Sequence, residues 1–434
     1  MKRLLTWFLA ACSATLLQAE VKLPAFFSDN MVLQQQAECP LWGTADKGKT
    51  ITVTTSWDGK SHTAKADAAG RFRLTVLTPA AGGPYDITLT EQSSSSSLCL
   101  RNVLIGEVWL CSGQSNMEMQ MKGFKGQPVE GATEELLDCN DPMLRLFTVK
   151  RNPQLTPASD VSGQWNEAQA GSVREFSATA YFFGRTLRRT LGVPVGLICT
   201  AFGGSACEAW MKAEWLKDFP QVTLPTGQDD VKQRQQRCPT ALYNGQLAPL
   251  VGYALRGAIW YQGEDNVPRY SYYAPLLCRM VEGWRQEWQQ GPFPFYYCQI
   301  APYDYSLIGW RDSQLLREQQ MKAEDMIPNC RMAVLMDAGL EYGIHPRKKR
   351  QAGERLALLA LANTYEVKGL PEFAKYKEAV FQNDTCVISF DRSKEWVYFE
   401  HGPSSKNFEV AGQDRVFHPA SKVWYSRNRV YVVS

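Results

Sequence analysis

The chain opens and closes on residues that alternate apolar and polar, and a different texture lies between. Ile51–Thr55 and Arg71–Val76 alternate at period two, and Tyr85–Thr90 reads as a further strand. Asp58-Gly59 and Gly82-Gly83-Pro84 mark turns, and Ser93–Ser97 reads as a flexible loop. This predicts an all-β module of sandwich type over 20–101. Structural packing is the ordinary role of such a module, and carbohydrate binding is the alternative.

From 102 to 371 short apolar runs alternate with helical patterns. Val103–Leu110, Val195–Cys199, Gly257–Tyr261, Phe293–Ile300 and Arg331–Asp337 are predicted strands. Phe176, Ala180, Phe183, Leu187 and Leu191 share one helical face, which Gly192 and Pro194 terminate. Tyr272–Trp288, Asp312–Met326 and Pro346–Tyr365 are predicted helices. Strand–helix alternation implies an α/β fold with a parallel sheet covered on both faces. After Gly369-Leu370-Pro371 the β texture returns in Thr385–Phe390, Trp396–Phe399 and Arg429–Val433. The tail, 372–434, is expected to pack with the N-terminal module. It ends inside a strand-like run, which reads as a chain cut short.

The length of 434 residues accommodates these units, and a net charge of +3 with mixed signs implies no nucleic-acid partner. Met1–Ala19 has a basic start at Lys2-Arg3, an apolar stretch and small residues, which is an export signal too short to span a bilayer. The competing reading is Leu9-Ala10-Ala11-Cys12 as a lipoprotein box with a lipid anchor on Cys12. The 12 cysteines form no C-x-x-C pair, so neither a zinc site nor a cofactor is implied. Cys111, Cys199 and Cys298 lie in apolar runs and are expected to be buried thiols.

In a parallel sheet, ligands bind beyond the carboxyl ends of the strands. Val103–Leu110 breaks at Cys111-Ser112-Gly113-Gln114 and delivers Ser115 to a helix start. This is not the G-x-S-x-G elbow, but it presents a serine as a nucleophile would be presented. Val195–Cys199 is followed by Gly203-Gly204, and Gly257–Tyr261 by Gln262, Glu264 and Asn266. Arg331–Asp337 is followed by a loop carrying His345. Of the four histidines, only His345 falls on this edge; His62, His401 and His418 lie in the β-rich parts. A serine, a glycine pair, an amide and a histidine are the components of serine acyl transfer. The bland readings are a turn for the glycines, a self-bonded loop amide for Asn266 and a helix start for His345-Pro346. Arg347–Arg350 reads as a solvated first turn, with a patch for an acidic sugar as the alternative.

GQSNM at 113–117, FGGS-x-x-EAWM at 202–211, WYQGEDN at 260–266 and D-x-G…IHP-x-x-K at 337–349 resemble the sialate O-acetylesterase family of the SGNH-hydrolase superfamily. LP-x-FFSDNMVLQ at 23–34 and FEVAGQDRVFHPA at 408–420 extend the resemblance to nearly the whole mature chain. It implies a three-layer α/β hydrolase with a β-sandwich accessory, acting on O-acetylated sugars. The nucleophile would be Ser115 and the base His345. The Ser115 amide, the Gly204 amide and the Asn266 side chain would be the oxyanion donors, with Gln114, Gln262 and Glu264 in support. The sequence departs from the family at the acid: Tyr342 and Gly343 stand where the aspartate is expected. Asp337 and Glu341 are the remaining carboxylates, Asp337 matching D-x-G, and a Ser–His dyad is the alternative. Sialic acid is the implied substrate, acetylated xylan or another plant glycan the rival. A non-catalytic glycan-binding protein on the same scaffold is the rival of another class.

Overall fold

The structure is a computed structural model that describes residues 21–434 apart from 95, 372, 393–396, 398–401 and 403. The export signal, Cys12 and the Trp396–Phe399 strand therefore lie outside the described residues, Val397 excepted.

The organising element is one strand of 17 residues, β1 (Ser97–Gly113). Its first half pairs antiparallel with the Gly82–Glu91 strand of the N-terminal module, and Leu104–Gly106 pair in parallel with Val32–Gln34. Its second half is the centre of the α/β sheet. The sequence boundary expected at 101/102 thus falls inside a continuous strand. The turn expected at Gly82-Gly83-Pro84 also lies in a strand, as a register irregularity against β1. In the module, Arg71–Leu77 buries every second residue against Glu38–Thr44, as its alternation predicts.

After β1 come β2 (Asp141–Thr148), β3 (Trp165–Ala168), β4 (Val195–Ala201), β5 (Gly257–Tyr261), β6 (Phe295–Cys298) and β7 (Cys330–Ala333). The sheet order is β7-β6-β5-β1-β4-β2-β3, parallel except for the edge strand β3. The order reverses at β1, so a crevice opens beyond its carboxyl end. Both faces are covered. Trp109, Cys111, Ile259 and Tyr261 face a core shared with α2 (Ala178–Leu191) and α5 (Lys349–Asn363). Val108, Leu110, Ala258 and Trp260 face the opposite core with α3 (Tyr273–Trp288) and α4 (Ser313–Met326). Burial on both faces is why these strands read as unbroken apolar runs. The last α-helix starts at Lys349 and not at Pro346, since Lys348, at φ −77° and ψ 55°, is still outside helical conformation. Cys111, Cys199 and Cys298 are buried thiols, as expected.

The tail closes a sheet of its own, in the order Lys375–Gln382, Thr385–Asp391, Arg429–Val433, Lys422–Ser426. Among the described residues it shares no ladder with the N-terminal module. Two of its cations reach α4: Lys375 bonds Glu324 and Asp325, and Arg392 bonds Glu324 at 2.8 Å. Among the described residues no helix is long and apolar enough to cross a membrane.

The midpoint of β1 is tied down by Glu107, which is 1% exposed. Its carboxylate accepts from Arg256 at 2.6 and 3.0 Å, from the Tyr365 hydroxyl at 2.8 Å and from Gln35 Nε2 at 2.6 Å. Glu107→Ala leaves the arginine and tyrosine donors without their acceptor. It should lower stability by about 3 kcal/mol, seen as a lower denaturant midpoint at unchanged slope. A loss below about 1 kcal/mol would mean that the three donors find water instead.

Candidate active site

The end of β1 is forced into its shape by its neighbour. A Cβ on Gly113 would lie 2.2 Å from the Tyr261 carbonyl oxygen, and Gly113 has φ 143°. Only glycine allows β1 to run this close to β5 and then turn away. Gln114 is extended, donates its amide to the Tyr261 carbonyl, and starts the short helix α1 (Ser115–Glu118). The Ser115 amide is one of the orphan donors of a helix start, and it makes no hydrogen bond among the described residues.

Ser115 and His345 line one cleft of about 400 Å³, with Gln114, Gly203, Gly204 and Glu264. Phe124, Ile308 and Trp310 contribute apolar surface to it, and Arg151 and Arg237 contribute cations. The two glycines have different tasks. The Gly203 amide donates to Glu118 Oε2 at 2.8 Å, which fixes the turn. The Gly204 amide has no partner among the described residues, and its φ of 71° is left-handed. One backbone donor is therefore free beside Ser115.

Asn266 is not at the cleft. It is fully buried, its Oδ1 accepts from the Cys207 amide at 3.0 Å and Gln262 Nε2 at 2.7 Å, and its Nδ2 donates to Glu208 at 2.9 Å. The expected oxyanion amide instead braces the loop after β4 against the loop after β5. Gln262 does the same, donating also to the Ser205 carbonyl at 3.0 Å and accepting from Tyr273 at 2.9 Å. Gln114 takes a place at the cleft. Its Oε1 accepts from the Gly263 and Asp265 amides at 3.2 and 3.4 Å, which leaves its Nε2 hydrogens uncommitted among the described residues.

Asp337 is not on His345 either. Its carboxylate is taken by Arg355 in a two-bond pair at 2.6 and 2.5 Å, and that guanidinium holds it below the usual carboxylate range. Glu341 is exposed on the loop. The partner of His345 Nδ1 is Gln127 Oε1, at 2.6 Å, and Phe124 packs its ring edge-on at 5.1 Å. An acceptor at Nδ1 places the proton there and leaves Nε2 with its lone pair. Burial, aided by the nearby Lys349 ammonium, pushes the imidazole down to about 4 rather than leaving it near neutrality.

The basic run after His345 is solvated only in part: Arg347 is exposed and Lys348 half-buried. Lys349 is 1% exposed and donates to Asn116 Oδ1, while Arg350 bonds Glu135 at 2.6 Å. Glu264 is buried, with Oε1 accepting from Asn116 Nδ2 at 2.5 Å, and desolvation raises its carboxyl. At the cleft, Arg151 pairs with Glu118 at 2.6 Å and Arg237 with Asp265 at 2.6 Å. Gln127, Asn116 and Lys349 were not distinguished by sequence. Gln127 lies in a loop without periodicity; Asn116 and Lys349 stand inside the GQSNM and IHP-x-x-K motifs, but only the meeting of distant segments reveals what they do.

The arrangement offers a serine hydroxyl, an imidazole with a free basic nitrogen and backbone donors in one cleft. These are the parts of acyl transfer. Similarity to known proteins points the same way. A family profile described as carbohydrate esterase, sialic acid-specific acetylesterase matches residues 105–361. The sialate O-acetylesterase of Homo sapiens is 30% identical over 386 aligned positions, covering 80% of this chain and 72% of its own. That of Rattus norvegicus is 28% identical over 436 positions, covering 86% and 79%. A solved carbohydrate acetylesterase from Xanthomonas citri superposes with a TM-score of 0.86 at 33% identity, covering 96% of this chain and 91% of that one. The chain is an ester hydrolase and belongs to the sialic acid-specific acetylesterase family of carbohydrate esterases.

Proposed function

We propose that this chain is an exported esterase that removes O-acetyl groups from sialic acids through an acyl-enzyme on Ser115, on an SGNH-type scaffold. The observation that carries the reading is the meeting of Ser115, His345 and the free Gly204 amide in one cleft. Ser115 Oγ attacks the acetyl carbonyl while His345 Nε2 takes its proton. The oxyanion of the tetrahedral intermediate receives the Ser115 and Gly204 amides, and the uncommitted Nε2 of Gln114 takes the part expected of Asn266. Each such donor is worth about 3–4 kcal/mol to the transition state. The intermediate collapses as His345 returns the proton to the leaving sugar hydroxyl. Water, deprotonated by the same nitrogen, then releases acetate.

Gln127 replaces the acid of a triad. It fixes the tautomer and the direction of the ring, as a carboxylate would, but it adds no negative charge to support the imidazolium. The sialic acid assignment is supported by the names of the rat and human relatives and by Arg151 and Arg237, whose guanidinium groups, each held through Nε by Glu118 or Asp265, keep further N–H donors suited to a carboxylate at the cleft. Export is supported by the composition of Met1–Ala19.

Ser115→Ala should abolish acetate release from O-acetylated sialic acid, measured beside acetylated xylan. Retained activity would end the acyl-enzyme mechanism, and activity on xylan alone would end the sialic acid assignment. The acid limb of kcat/KM should lie well below pH 6.5, because the imidazole stays neutral down to about 4 and loses its basic form only as pH falls past that value. Gln127→Ala should lower kcat by about ten- to a hundredfold, within the range that general-base catalysis contributes. Gln127→Glu should move the acid limb upward, since a carboxylate favours the imidazolium. Gln127→Ala at full rate would show that Gln127 is not the orienting group, and an acid limb near 6.5 would show that burial does not hold the imidazole down. The mass of the mature N-terminus should match a chain starting at Glu20. A lipidated Cys12 would instead establish a membrane anchor.

A further inference from the structure

Asn116 directly follows Ser115, is fully buried, and has both ends of its carboxamide committed to opposite charges. Its Nδ2 donates to Glu264 Oε1 at 2.5 Å and to the Ile344 carbonyl at 3.1 Å, and its Oδ1 accepts from Lys349 Nζ. A carboxylate on one side and an ammonium on the other fix which end is oxygen and which is nitrogen. One side chain thus joins the turn of the nucleophile, the loop after β5, the residue before His345 and the first residue of α5. We propose that Asn116, clamped between Glu264 and Lys349, is the positioning residue that holds Ser115 in register with His345. The inference rests on the reading that these two residues perform the chemistry.

The cost of the arrangement argues for a role beyond packing. Glu264 is 2% and Lys349 1% exposed, and Glu264 Oε2 has no hydrogen-bond partner among the described residues, although the residue lines the cleft. Apolar residues of similar volume in place of a buried, amide-bridged pair would ordinarily be as stable or more so. Burial pushes Lys349 down to about 7, so its ammonium forms over the same acidic range in which an ordinary imidazole would protonate. That ammonium faces His345 from α5. The other charged or titratable groups around the ring are Glu341, Tyr342 and Arg347 of its own loop, and Glu118, Arg151, Arg237, Glu264 and Asp265 of the cleft. The clamp therefore positions the base and also opposes its protonation.

The test compares Asn116→Ala, and the double variant Glu264→Gln with Lys349→Met, against the unmodified enzyme. The double variant removes both charges together and leaves neither buried alone. Both should keep KM within about twofold and lose about a hundredfold in kcat, the scale of a 1 Å misplacement. In the double variant the acid limb of kcat/KM should also rise by about half a pH unit, since an opposing charge is gone. A folded variant with kcat within about threefold of the unmodified enzyme overturns the proposal, as does a loss confined to KM. The unmodified enzyme tests the electrostatic part separately. The NMR signal of the His345 ring should show a second titration step where Lys349 releases its proton, and a single step overturns the coupling. Ser115→Ala, run alongside, separates the two readings. If it stays active, the acyl-enzyme mechanism fails; if it is inactive while Asn116→Ala is unimpaired, only the positioning role fails.

Discussion

The close parallel approach of β1 and β5 at Gly113 is the constraint on which the site depends. The Tyr261 carbonyl occupies the space a side chain on Gly113 would need, and it accepts the next amide, that of Gln114. The chain leaves the sheet there with one available direction, and Ser115 begins a helix with its amide unpaired. Because β1 is flanked by β4 and β5 and continues into the N-terminal module, Ser115 starts its helix two residues past a strand paired along its whole length. A nucleophile held by sheet pairing keeps its position better than one on a free loop. Gly203, Gly204 and the Gln262–Asn266 segment come after the two strands that flank β1, so the same pairing brings them to the cleft or just beneath it.

The framework of the site was legible because it depends on strand ends. Apolar runs announce buried parallel strands, and the residues just beyond each run must gather at one edge. That reasoning brings Ser115, Gly204, Gln114, Glu264 and His345 to the same cleft. It fails where the direction of a side chain decides. Asp337 lies eight residues before His345, but Arg355 reaches it from α5 with two hydrogen bonds. Asn266 comes after a motif strand, yet it points inward and is saturated by Cys207, Gln262 and Glu208. Spacing gives proximity in sequence and says nothing of which competing donor is nearer in space.

The departures in the fold have similar causes. Arg101-Asn102 interrupts the apolar run and looks like a boundary, but Asn102 takes a left-handed conformation within β1, with φ 57°. Its side chain bonds Asn30 at 2.8 Å and accepts from the buried Arg145 at 3.2 Å. A polar residue inside a strand was here a cross-link between the module and the sheet. Charge runs mislead in the same way. A lysine in a basic cluster is usually solvated, and Lys349 is buried where Asn116, itself bonded to Glu264, arrives from a distant segment to receive it.

In the proposed acyl-enzyme mechanism a neutral orienting group changes how the reaction must be driven. In a triad the buried carboxylate favours the imidazolium that forms as the serine loses its proton. Gln127 supplies direction without charge, and Lys349 lies close enough to oppose the imidazolium. The base is therefore weak, and a larger part of the stabilisation has to come from the oxyanion side. That side is built for it: the Ser115 and Gly204 amides are unspent, and the Gln114 carboxamide is aligned by two backbone donors that occupy its oxygen. A weak base also has an advantage. It stays deprotonated in acid, where a carboxylate-supported histidine would already be charged, so the same substitution that weakens proton transfer widens the range over which it operates.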